Sequence, residues 1–167
     1  MTRGQEAPAP DPQGSGRLVA GVVLLLGFVY LVFEFIAAAA WVEPPYDWAR
    51  NYISDLGFSD CASVEGIRLC SPLHGLMNAG FLVQGTVFAV GSILVTSLLF
   101  PPGPFRRVVR ALMVVSGAGT FLVGVFHLSL ALTASGFGWV HFTVAFVAIG
   151  PGNAGILLLG IGAARLR

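Results

Sequence analysis

Five residues in this 167-residue chain stand out as candidates for chemistry: His74, His127, His141, Glu34 and Asp55. Three imidazoles with a carboxylate or water satisfy tetrahedral zinc, and an open fourth position activates water for hydrolysis. In that reading His74, His127 and His141 are the metal ligands, while Asp55 or Glu34 is the catalytic group that handles protons. Two of them, His127 and His141, could instead ligate haem from facing helices. A third reading makes the histidines structural, hydrogen-bonded to a loop through Asp55 or Ser54, and a fourth makes them proton-linked. Spacing does not choose among these. The chain has no His-x-x-x-His pair, His-Glu-x-x-His, Gly-x-Ser-x-Gly elbow, phosphate loop or Cys-x-x-Cys-His.

What must position these groups follows from composition. The chain is 56% apolar, with only nine basic and eight acidic residues, and its mean hydropathy is +0.84. Soluble domains carry about 25% charged residues, so this is a membrane protein. All nine basic residues are arginine and the net charge is +1. No block of positive charge exists to neutralise a run of phosphates, which argues against a nucleic-acid partner.

Four apolar runs, residues 18–42, 72–99, 108–132 and 138–164, each exceed the ~20 residues that cross a bilayer. The expected fold is an all-α integral membrane protein, an antiparallel four-helix transmembrane bundle forming one domain over residues 17–167. Residues 1–16, rich in Pro, Gly, Gln and Ser, read as a disordered tail. Seven arginines (3, 17, 106, 107, 110, 165 and 167) flank the tail, the second loop and the C-terminus, against Arg50 and Arg68 in the first loop. The positive-inside rule then puts both termini in the cytoplasm of a plasma-membrane protein, and the loop 43–71 outside.

In an oxidising exterior Cys61 and Cys70, nine apart, are expected to form a disulfide that closes a short loop, a pair of free thiols being the alternative. Within that loop Trp48, Tyr52, Ile53 and Leu56 recur at i, i+4, i+5 and i+8, with Arg50, Asn51, Ser54 and Asp55 opposite. The pattern predicts a short amphipathic interfacial helix stopped by Gly57. Asp55 in its last turn opposes the helix dipole, so something else is expected to hold it, such as the free backbone N–H groups where the second span begins, at Ser71 and Pro72. A solvated loop acid is the alternative.

At a rise of about 1.5 Å per residue, the three histidines lie roughly 3–8 Å inside the outer face, each on a different helix, beneath Asp55. The polar pocket this predicts comprises Ser54, Asp55, His74, Asn78, His127, His141 and Glu34. Glu34 lies about 12 Å deep, where an unpaired carboxylate is costly, so it is either a functional base or a protonated acid paired within the bundle, with Asn78 as a candidate partner. Deeper still, Gln84, Ser116, Thr120 and Asn153 read as interhelical hydrogen-bonding groups. Ser116, Thr120 and Gly124 form a small-residue stripe for one neighbouring backbone, and Pro151 predicts a kink in the fourth span.

Ile53-Ser54-Asp55-Leu56-Gly57, after a first span and an aromatic stretch, resembles the signature of an uncharacterised multi-pass membrane family, "domain of unknown function 998". Ser71-Pro72 with Asn78 and Gly80, Gly117 to Phe126, and His141 continue the likeness over roughly residues 18–163. The resemblance implies a helical membrane protein with no established activity. Members often have proline where this chain has His127, and commonly carry a further helix pair after the fourth span. That difference makes a homo-oligomer or a partner membrane subunit the expected companion, besides the lipid bilayer. The functional expectation is a non-enzymatic binding or subunit-type component with a polar outer-leaflet pocket. The competing expectations are a zinc-dependent membrane hydrolase and a haem-binding subunit.

Overall fold

The computed structural model describes residues 12–64 and 66–165. The first span is two helices, α1 (Pro12–Leu26) and α2 (Phe28–Ala40), separated at Gly27. A short 3-10 helix (Ile53–Gly57) and a two-stranded antiparallel hairpin, β1 (Cys61–Val64) and β2 (Ile67–Cys70), follow. Then come α3 (His74–Leu99), α4 (Pro104–Val125), the short α5 (Leu130–Ala134) and α6 (Gly138–Ala164). Four helical segments, Leu18–Ala40, His74–Leu99, Pro104–Val125 and Gly138–Ala164, are long and apolar enough to cross a membrane.

Several boundaries differ from those expected of the apolar runs. The part of the expected tail that is described, from Pro12, is helical; the rest of that tail lies outside the described residues. The third helix begins at Pro104 and not at residue 108, because proline suits a first helical position, where its missing N–H costs nothing. It ends at Val125, well before residue 132. Ser129 instead caps α5 by accepting from the Leu132 N–H at 3.0 Å.

The helices run antiparallel, as the contacts at glycine show. A Cβ on Gly80 would touch Tyr30 and Phe33 of α2, one on Gly124 would meet the Asn78 carbonyl, and one on Gly117 would lie 2.7 Å from the Gly85 carbonyl. On the other side of α4, a Cβ on Gly119 would lie 2.6 Å from the Ala148 nitrogen, and one on Gly155 would meet Met113. Small residues suit such interfaces because lipid gives no hydrophobic drive for helix association, leaving close packing to do it. The predicted stripe of Ser116, Thr120 and Gly124 is therefore divided, Gly124 facing α3 and Ser116 facing α6, with Gly117 and Gly119 beside them serving α3 and α6 in turn. Among the described residues the spans pack in sequence order, with no substantial contact between α1 or α2 and α6. Helix α6 runs through Pro151 without interruption.

The main apolar core lies at one end of the bundle. Ala37, Ala38 and Trp41 of the first span's end, Met77 and Phe81 of α3 and Val123 of α4 close around Tyr46, Leu56, Phe58 and Leu69. The last four belong to the loop 43–71, which is thus a folded cap seated on the helix ends.

Candidate functional site

The cap is held by three consecutive residues of the 3-10 helix. Asp55 Oδ2 accepts from the Tyr52 N–H at 2.9 Å and the Asn51 amide at 3.2 Å. The Leu56 carbonyl accepts from Ser71 Oγ at 2.6 Å, and the Gly57 carbonyl accepts from Asn78 Nδ2 at 2.9 Å. Leu56 itself is fully buried. Each element of Asp-Leu-Gly therefore has a distinct task, and a Cβ at Gly57 would collide with Asn78 Oδ1.

This corrects the expected amphipathic helix. Only Ile53–Gly57 is helical, while Trp48 and Tyr52 are exposed. Asp55 falls in the first turn and complements the helix dipole, bonding its own N-terminus and not the start of the second span. Gly57 does not adopt a left-handed conformation; among the described glycines only Gly66 (φ 82°) and Gly136 (φ 80°) do. Burial pushes the Asp55 carboxyl above the usual carboxylate range, opposed by the Tyr52 and Asn51 hydrogen bonds and by charge on His141.

Cys61 and Cys70 are disulfide-bonded. They face each other across the hairpin, whose turn uses the left-handed Gly66. A second strap joins the cap to the start of α5, where Asp60 Oδ2 accepts from the Leu130 N–H at 2.7 Å.

The predicted pocket residues are not brought together as one open site. His141 is 2% exposed, and its Nδ1 lies 2.8 Å from the Phe126 carbonyl, where it satisfies the C-terminal end of α4. His74 and His127 are half-buried, at the start of α3 and after the end of α4, and Ser54 is half-buried in the 3-10 helix. Among the described residues no three His, Cys, Asp or Glu side chains group so as to hold a metal, so the zinc set His74, His127 and His141 does not fit this geometry. Nor does haem fit His127 with His141, whose ring has almost no free surface for a macrocycle.

Glu34 is buried, facing inward as its depth predicts. No hydrogen bond joins it to Asn78, whose amide is committed to Gly57 and whose Oδ1 is buried without a partner. Of the deeper polar layer, Ser116 alone bridges helices, donating to the Ala148 carbonyl at 2.5 Å. Thr120 and Asn153 bond carbonyls of their own helices, and Asn153 is exposed. Gln84 lines a cavity of about 220 Å³ with Gly27, Phe88, Met113 and Leu159, its Oε1 buried and unpartnered.

Sequence reasoning passed over a cleft of about 670 Å³ in the cap. Its walls are Trp41, Pro44, Pro45, Tyr46 and Trp48 from the chain leaving α2, Arg50 and Asn51 from the next turn, and Ile67 and Arg68 from β2. Trp41 and Tyr46 pack at 5.6 Å between ring centroids, Tyr46 and Trp48 edge-on at 5.0 Å. Burial and the charges of Asp55 and Glu34 push the Tyr46 hydroxyl up to about 12, so it stays protonated at neutral pH. The signal was the aromatic and proline density of residues 41–48 together with both basic residues of the loop.

Residues 19–167 match the family model described as "Protein of unknown function (DUF998)". The chain belongs to this family. Within DUF998, then, the Asp-Leu-Gly stretch in this member knits the cap together through Asp55 and Leu56 and ties it to the bundle through the Gly57–Asn78 bond. No curated protein matches the chain, and no solved structure does.

Proposed function

We propose that this DUF998 protein is a non-enzymatic binding or subunit-type component of the plasma membrane, with both termini cytoplasmic and its binding surface on an outward-facing cap. The observation that carries the reading is the cap cleft: it is open and lined by aromatic and cationic side chains, whereas Glu34, Asp55 and His141 are buried. Neither the cleft nor the intramembrane cavity is lined by Asp55, His74, His127 or His141. Asp55 and His141 satisfy backbone groups instead.

Orientation is supported from both ends of the bundle. The disulfide suits an oxidising exterior. Arg106, Arg107 and Arg110 lie at the opposite end, where Arg110 reaches Thr96 Oγ1 at 3.0 Å and Ser97 Oγ at 2.7 Å of α3. A subunit role is supported by α6, whose only substantial packing against a long helix among the described residues is with α4.

The test is native mass spectrometry of protein released from mild detergent, with metal content and absorption measured on the same sample. The reading predicts a small molecule retained by the chain, with zinc below about 0.1 per chain and no haem band. Stoichiometric zinc or haem, or no retained molecule, would overturn it.

A further inference from the structure

We propose that the cap cleft binds the phosphate-bearing headgroup of an anionic lipid from the leaflet on which the cap rests. This names the ligand class for the binding surface proposed above and rests on that reading.

Charge is the first argument. Arg50 and Arg68 are the basic residues of the loop 43–71, and although they come from different elements both line the cleft. Both are exposed. A guanidinium pairs with phosphate through two parallel N–H donors, and a pair approaching from two walls fixes both position and orientation. Among the described residues the one acid on the cleft is Asp47, 3.7 Å from Arg50. That contact is long and solvent-exposed, so it competes weakly with an incoming phosphate. Asp47 is also occupied by the Ala49 N–H at 2.9 Å.

Location distinguishes a lipid from a soluble anion. Trp48, on the cleft, packs at 5.4 Å against Phe35, an exposed residue within the membrane-spanning part of α2. The cleft wall is thus continuous with the lipid-facing surface of the first span. A headgroup in the cleft places its acyl chains along α2, beside Phe35, without leaving the bilayer. Tryptophan at this level is the residue that favours the headgroup region.

The remaining features fit such a guest. The cleft's size of about 670 Å³ falls in the range of small-molecule sites, roughly 300–1,000 Å³. Trp41 lines it too, and its indole N–H is buried without an acceptor among the described residues.

The experiment uses the full chain in detergent, titrated with short-chain phosphatidylglycerol or phosphatidylcholine and followed by tryptophan fluorescence. Glycerol 3-phosphate is a third arm. The expected result is saturable binding of phosphatidylglycerol, about ten-fold weaker in the Arg50→Gln/Arg68→Gln double variant and unchanged in Arg107→Gln. Phosphatidylcholine and glycerol 3-phosphate should bind far less. Equal binding of phosphatidylcholine, tight binding of glycerol 3-phosphate, or indifference to the double substitution would overturn the lipid claim. If native mass spectrometry still shows a different retained molecule, the lipid claim fails and the broader binding reading stands. If nothing is retained, both fail.

Discussion

Asn78, in the membrane-spanning α3, donates from its side-chain amide to the Gly57 carbonyl of the cap at 2.9 Å, and the same carboxamide occupies the space a Cβ at residue 57 would need. One side chain thereby sets both a hydrogen bond and a steric limit across the junction of cap and bundle. Gly57→Ala should destabilise the protein by about 1–3 kcal/mol through overpacking. Asn78→Ala should cost about 1–3 kcal/mol by leaving the buried Gly57 carbonyl without its donor. Thermal unfolding in detergent checks both. An unchanged midpoint for either would mean that the junction does not carry the cap.

Reduction of Cys61–Cys70 should lower stability by about 2–3 kcal/mol, since the bond closes a short loop in the unfolded chain. Unfolding of wild type and of Cys61→Ser/Cys70→Ser, each with and without reductant, isolates the effect. Reductant should act on the wild type alone. Loss of stability on adding reductant to the double variant would assign the effect to something other than this bond.

The α3–α4 interface should be intolerant of added volume. A Cβ on Gly117 would lie 2.7 Å from the Gly85 carbonyl, a backbone atom that cannot swing aside, whereas a Cβ on Gly21 meets nothing within 4 Å. Gly117→Ala is predicted to cost about 1–3 kcal/mol. Gly21→Ala, in a helix interior, should be neutral or stabilising by up to about 1 kcal/mol. Equal effects at the two positions would contradict the packing described.

Asp55 should give stability a measurable pH dependence. Burial holds its folded carboxyl above the usual range, so the native chain binds this proton more tightly than the unfolded one. That contribution is complete below the unfolded value of about 3.9 and is lost as pH rises through the folded value. Asp55→Asn keeps an acceptor for the Tyr52 N–H and should remove the decline, which unfolding midpoints across the acidic range would show. A decline that persists in Asp55→Asn would place the responsible group elsewhere.

The four spans were legible because lipid imposes one demand, a long apolar helix with its backbone bonds satisfied within itself, and the sequence meets that demand in uninterrupted runs. The inward burial of Glu34 was legible for the same reason. The cap was not, because short-range hydrogen bonds there override periodicity. Trp48, Tyr52, Ile53 and Leu56 have helical spacing, but Asp47 takes the Ala49 N–H and Asn51 takes the Asp47 N–H at 3.0 Å, which folds the chain into a turn before the helix can start. The hairpin was missed although Gly66 offered a turn signal between Val64 and Ile67. The histidines share a level, yet depth along a helix says nothing of rotation about it. His141 turns toward the Phe126 carbonyl and does not join His74 and His127 in a common cluster.

The proposed binding role requires the cap to face outward on a four-span bundle. Single cysteines at Ser63, in β1, and at Gly103, in the turn between α3 and α4, can be challenged in intact cells with a membrane-impermeant maleimide. Labelling of Ser63→Cys with protection of Gly103→Cys is the predicted result. Labelling of Gly103→Cys with protection of Ser63→Cys would put the cap in the cytoplasm and contradict the account.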